Sequence, residues 1–265
     1  MPTDTLATRP TAVAHTTDAP AAESRAAMPA APRVDLYVHI HKAMRAFMTD
    51  TLGRVGRLDV FDAAEMDATL GQLEALLGQC ENHLKHENEF VHTAIEARQP
   101  GGAGRIAEEH VEHLEAISAL REDAARLGAA VEARRPLLAL RLYRHLALFV
   151  AENFQHMHVE ETLHNATLWA NYSDAELEAI HNALVASLPP PEMTLVARWM
   201  VPAMNPTERA GMLNGIKAGA PPQVFDGLLD TVRPHLDASG WVKLAPAIGI
   251  AAQPGLVDLR PAAPR

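Results

Sequence analysis

Two short stretches of this chain carry side chains whose types and spacing suit metal chemistry. Residues 80–92 read C-E-N-H-L-K-H-E-N-E-F-V-H and place His83 four residues before Glu87. Their surroundings, Leu70, Leu73, Leu76, Leu77, Cys80, Leu84, Phe90 and Val91, recur mostly at intervals of three and four. An imidazole and a carboxylate therefore leave one helical face a turn apart. Residues 154–164, F-Q-H-M-H-V-E-E-T-L-H, repeat the arrangement with His156 and Glu160. Neutral imidazole and carboxylate together suit iron, zinc, manganese or nickel, and burying several of each is costly without a cation. If two such helices face each other, Glu87 and Glu160 can bridge two ions while His41, His83, His110 and His156 fill outer positions. His113, on the same stripe as His110, is a candidate fifth histidine.

The elements that would position these residues are helices. Val34 opens a first helix reaching Gly53 or Gly56, with Tyr37, His41, Met44, Met48, Leu52 and Val55 on its apolar stripe. Asp62, with Glu65 three later, caps a second that continues to Arg98 and stops at Gln99-Pro-Gly-Gly. A third, Gly104 to Val131, carries Ile106, His110, His113, Ile117, Leu120, Ala124 and Leu127 at alternating four-three spacing. A fourth, Pro136 to Ala170, carries Leu142, Leu146, Phe149, Asn153, His156, Glu160 and Leu163. The prediction is an all-α protein: an up-down four-helix bundle over 34–171, with the two His-x-x-x-Glu pairs on diagonal helices. Residues 172–251 form a C-terminal helical appendage, with starts at Ser173 (Glu176 three later), at Asn205-Pro-Thr-Glu and at Pro221-Pro222. Residues 1–33 and 252–265 read as loose tails without periodicity.

Composition removes other classes. A net charge of −10 opposes binding to a phosphate backbone, so no nucleic-acid partner is expected. One cysteine permits neither an intrachain disulfide nor a thiolate cluster within a chain. No apolar run spans a bilayer and no signal peptide is visible, so no membrane association and a cytoplasmic location are expected. Aromatics make up 5%, and strand-forming runs are nearly absent. Histidine is abundant: fourteen residues, nine of them from His83 to His164.

The remaining polar candidates have plainer readings. On an α-helical wheel His86 and His158 turn away from the proposed ligands and suit outer or surface roles. His164 lies one turn beyond Glu160, whereas His92 is rotated about 140° from Glu87. Tyr37, one turn from His41, could hydrogen-bond to a small ligand at the metals, although a half-buried structural role is commoner. Cys80 reads as a small core residue and His145 sits about three turns from His156, too far to share its metal.

The order of these residues resembles the hemerythrin-like, or HHE cation-binding, family of four-helix bundles, bacterial type. The resemblance rests on His41 in I-H-K-A-M-R, His83 and Glu87 in H-L-K-H-E, His110 in E-E-H-V-E-H, and His156 with Glu160 in H-M-H-V-E-E. It implies two non-haem iron ions, zinc or manganese being less favoured, and functions such as binding or sensing oxygen, nitric oxide or peroxide, or handling iron. Oxygen-carrying members have His-x-x-x-His on the third helix, where this chain has His110 and His113 three apart. They also place the last carboxylate five after its histidine, which would select Glu161; the bacterial spacing selects Glu160, which is preferred here. Repair-type members carry a separate cysteine-bearing amino-terminal domain, and residues 1–33 have no cysteine.

The leading expectation is thus a di-iron protein that binds or senses a small redox species rather than a turnover enzyme. Two other classes stand beside it. One is a redox enzyme turning over peroxide or nitric oxide; the other is a helical module locked by metal. A protein partner or self-association would use the C-terminal helices.

Overall fold

The computed structural model describes residues 33–251, and every regular element among them is helical, as expected. Residues 1–32 and 252–265, read above as loose tails, lie outside the described residues. Helix α1 (Val38–Gly56) starts four residues later than its apolar stripe predicts. The cause is Asp35, whose carboxylate accepts from the backbone N–H groups of Tyr37 (2.9 Å) and Val38 (3.0 Å). Asp62 caps α2 (Ala63–His86) by accepting from the Glu65 N–H. The chain then runs through a π-helical turn at Glu87–His92 into α3 (Thr93–Arg98). Gly101, at φ 82°, turns it toward α4 (Gly104–Gly128), and the Glu96 carboxylate accepts from the N–H groups of Gly101 and Ala103 across that turn. Helix α5 (Arg135–Val159) ends in a second π turn, Glu160–His164, which leads to α6 (Asn165–Asn171).

Helix α1 packs on α2 and α5, and α4 packs on the same two, so the four long helices enclose a common interior. Its core holds Leu73, Leu76, Leu77, Leu120, Leu142 and Leu146, all fully buried. Each such leucine contributes roughly 1.5–3 kcal/mol relative to exposure. The polar Asn153 is accommodated by donating from Nδ2 to the Phe149 carbonyl at 2.8 Å, one turn before His156. Beyond the histidines a second apolar group, Tyr37, Val91, Ile95, Ala103, Leu168 and Leu177, closes the end of the interior. The histidines and glutamates therefore lie between two dry layers.

Downstream, α7 (Asp174–Ser187) and α9 (Pro206–Gly219) begin at capping boxes, Ser173 with Glu176 and Asn205 with Glu208. Helix α10 (Pro222–Val232) starts at the predicted prolines. Two helices were not predicted: α8 (Pro190–Ala203), which follows Pro189 with prolines in its first turn, and α11 (Ala238–Ala247), capped by Asp237. Helix α8 lies along α1, stacking Trp199 on Phe47 with centroids 4.2 Å apart. Its Val201 joins Leu213, Phe225, Val232, Trp241 and Leu244 in a separate core. Arg209 ties α9 to the end of α8 by donating to the carbonyls of Val201, Pro202 and Met204.

Candidate metal centre

Each His-x-x-x-Glu pair sits where an α-helix passes into a π turn. His83 lies in the last turn of α2 and Glu87 opens the following π turn; His156 lies in the last turn of α5 and Glu160 opens the next. All four are nearly or fully buried, as are His41 on α1 and His110 on α4. The donor atoms form two quartets, His41, His83, Glu87 and Glu160 in one and Glu87, His110, His156 and Glu160 in the other, with atoms within 4.8 Å of one another.

Both carboxylates divide their oxygens between the quartets. Glu87 Oε1 lies 3.3 Å from His83 Nε2 and 3.6 Å from His41 Nε2, while its Oε2 lies 3.5 Å from His110 Nε2. Glu160 Oε2 lies 3.5 Å from His41 Nε2, and its Oε1 lies 3.3 Å from His156 Nε2 and 3.7 Å from His110 Nε2. Each group of nitrogens and oxygens thus surrounds its own point, with two carboxylates common to both.

The outer side of the site fixes how the imidazoles face. Glu161 Oε1 accepts from His41 Nδ1 at 3.1 Å and Glu109 Oε2 from His156 Nδ1 at 2.9 Å, because a carboxylate can only accept. The Asn88 side-chain oxygen accepts from His110 Nδ1 at 2.9 Å. With the proton on Nδ1, each Nε2 turns a lone pair inward. His110 Nε2 and His156 Nε2 are then 3.1 Å apart, lone pair toward lone pair. The inward atoms of His41, His83, Glu87 and Glu160 have no hydrogen-bond partner although buried. Such a convergence of acceptors is costly in a dry interior unless a positive charge sits among them. A cation in each quartet removes that cost, and the donor set fits one.

Protons are the alternative positive charge. Burial disfavours charge on His41, but the hydrogen bond with Glu161 and the nearby carboxylates of Glu87 and Glu160 outweigh it, raising its pKa to about 9. Burial likewise opposes charge on His156, and Glu160 and Glu109 outweigh it, again to about 9. Burial and the charge of Glu160 push the Glu87 carboxyl up to about 8. Glu160, which burial would raise, is held low by His110 and His156. These shifts favour protons on the metal-free cluster, and a metal ion entering it would have to displace them.

Several residues fall elsewhere than the helical wheel places them. Glu161, the competing carboxylate, stands behind His41 in a fork with Arg45, whose two nitrogens reach it at 2.5 and 2.9 Å. His113 is brought against His156, with ring centroids 4.7 Å apart, and lies in neither quartet; burial and then His156 lower its pKa to about 4, so it is a neutral imidazole. His92 and His164, given little weight above, join Glu160 in a third buried group. His92 stacks on His110 with centroids 4.7 Å apart, and both its nitrogens lack partners. A π turn closes over five residues instead of four, which rotates His92 back toward Glu87 relative to the α-helical wheel. The five-residue separation is the signal that could have found it. Tyr37 is fully buried, not half-buried, with its hydroxyl 3.2 Å from His164 Nδ1. His86 Nε2 reaches Glu192 of α8 at 3.0 Å, and His145 Nδ1 donates to Asp123 at 3.0 Å. Sequence reasoning did not find Asn88 and Glu109, which only packing brings to His110 and His156, nor Arg45, which holds Glu161.

Comparisons with family models, with curated proteins and with solved structures give no match. The buried histidine and glutamate groups able to hold a metal ion stand on geometry alone. Among the described residues no helix is long and apolar enough to cross a membrane.

Proposed function

We propose that this chain is a hemerythrin-like protein: a four-helix bundle that holds two non-haem iron ions and binds or senses a small redox species such as oxygen, nitric oxide or peroxide. The observation that supports this most is the division of Glu87 and Glu160 between two quartets, each completed by two imidazoles. His41 and His83 would hold one ion, His110 and His156 the other, with both carboxylates bridging. Two imidazoles with carboxylate oxygen suit ferrous iron with coordination positions left open. When bound, the ions supply Lewis acidity and reversible one-electron chemistry.

The chain's own residues supply the surroundings. Glu161, Glu109 and Asn88 orient His41, His156 and His110 and raise their basicity. The layers of Leu73, Leu76 and Phe149 on one side, and of Val91, Ile95 and Leu168 on the other, keep bulk water away. A second reading, turnover of peroxide or nitric oxide, is favoured by one observation: His113 lies outside both quartets, leaving more open positions than a five-histidine set would.

Metal analysis of protein purified without added metal, with optical spectra before and after exposure to oxygen, tests the proposal. Two irons per chain with a ferric charge-transfer absorption are expected, both lost in the Glu87→Ala, Glu160→Ala double variant. Stoichiometric zinc, or no metal, would refute it. Sustained consumption of peroxide or nitric oxide with a reductant would select the second reading.

A further inference from the structure

A surface cleft of about 360 Å³ leads from solvent to His156 of the second quartet. Its walls include Arg105, Glu109, Glu112, His113, Glu152 and His156, drawn from α4 and α5. His156 faces two ways, lining the cleft while its Nε2 belongs to the second quartet. Three carboxylates stand against one guanidinium, and Arg105 already engages Glu109 at 3.0 Å. The cleft therefore attracts cations.

His113 adds an independent reason. It is 6% exposed, lines the cleft and keeps Nδ1 buried without a partner. Its ring lies 4.7 Å from that of His156, and it shares the cleft wall with the exposed carboxylates Glu112 and Glu152. An imidazole that lines the cleft and makes no hydrogen bond through its buried nitrogen is free to serve as a ligand for a cation in transit. We propose that this cleft is a transit site for divalent metal ions, through which the centre is loaded. Glu112 and Glu152 concentrate the cation, His113 binds it, and ligand exchange passes it to His156 with its charge unchanged. Glu109 stays on His156 Nδ1 and keeps Nε2 toward the interior. This inference rests on the metal-binding reading.

Stopped-flow uptake of Co²⁺ by the metal-free full chain, followed by the ion's visible absorption, tests it together with equilibrium stoichiometry. In wild type two equivalents are expected. His113→Phe and the Glu112→Gln, Glu152→Gln pair should still bind two equivalents but load about tenfold more slowly, the pair also losing most of the salt dependence of the rate. The pair replaces exposed side chains, so it decides the question if His113→Phe folds poorly. Asp67→Asn with Asp230→Asn, an equal charge change elsewhere, should load at the wild-type rate. Unchanged loading in both cleft variants overturns the proposal, as does equal slowing in the control. Loss of an equivalent in His113→Phe overturns it too, by making His113 a resident ligand. Failure of wild type to bind Co²⁺ refutes the metal-binding reading itself, and the transit site with it.

Discussion

Because each oxygen of Glu160 serves a different quartet, Glu160→Gln should weaken both ions together, whereas His83→Phe should weaken only one. The size of the effect follows from linkage. At free metal about 100 times Kd, each ion stabilises the folded chain by ~2.7 kcal/mol, about 5.4 kcal/mol for two. At about 2–4 °C per kcal/mol for a chain of this size, metal should raise Tm by roughly 11–22 °C. Removing an outer hydrogen-bond partner of a ligand costs about 10–100-fold in affinity, so loss of a bridging carboxylate should cost about 100-fold or more. At the same free metal each ion then adds only ~0.4 kcal/mol, and the rise shrinks to roughly 2–3 °C. His83→Phe should keep one ion and a rise of roughly 5–11 °C. Calorimetric scans at buffered free metal, paired with titration stoichiometries, measure all three. A Glu160→Gln protein that still binds two equivalents at wild-type affinity, or that weakens one site and keeps the other at full affinity, would refute the shared-bridge reasoning.

His92→Phe should retain two metal equivalents, because His92 belongs to neither quartet; loss of one in a titration would give it a ligand's place. Cys80 is buried, and burial pushes its thiol well above the usual range, so the native protein should not react with a thiol reagent at pH 8 and should react with one equivalent after denaturation. Trp199→Ala should lower stability by about 3 kcal/mol, the low end of the range for buried aromatics because Trp199 is only partly buried, read as a shift in urea midpoint at constant m. Burial would raise the carboxyl of Asp123, but His145, Arg141 and Arg126 outweigh it and hold its pKa below 3.8. The stability Asp123 confers over Asp123→Asn should therefore be lost as pH falls past 3.8 and through the lower folded-state value, as measured by denaturant unfolding at a series of acid pH values.

The spacing of residues within helices was enough to place most of the candidate site. His83 with Glu87, and His156 with Glu160, share faces because a regular helix repeats every 3.6 residues, and the apolar stripes point those faces inward. The all-helical class was legible for the same reason. Periodicity could not show the two π turns, which break the helical repeat within single turns, and so His92 was turned the wrong way. The outer partners of the histidines were equally invisible, since Glu109 meets His156 only through the packing of α4 on α5. Helix α8 was missed although prolines open it, because its partly buried apolar face, Leu195 and Trp199, makes sense only against the surface of α1.

The π turns have a consequence for chain length. Each holds one residue more than an α-turn, so α3 and α6 emerge rotated about 100° from where an unbroken helix would put them. Ile95 and Leu168, which close the apolar layer over the site, are in phase with His83 and His156 only because that extra residue is present in each half. A one-residue deletion at Asn88 or Thr162 would leave every donor of both quartets in the chain and still turn the covering layer away from it. In this protein the insertion count is as much a part of the site as the histidines are.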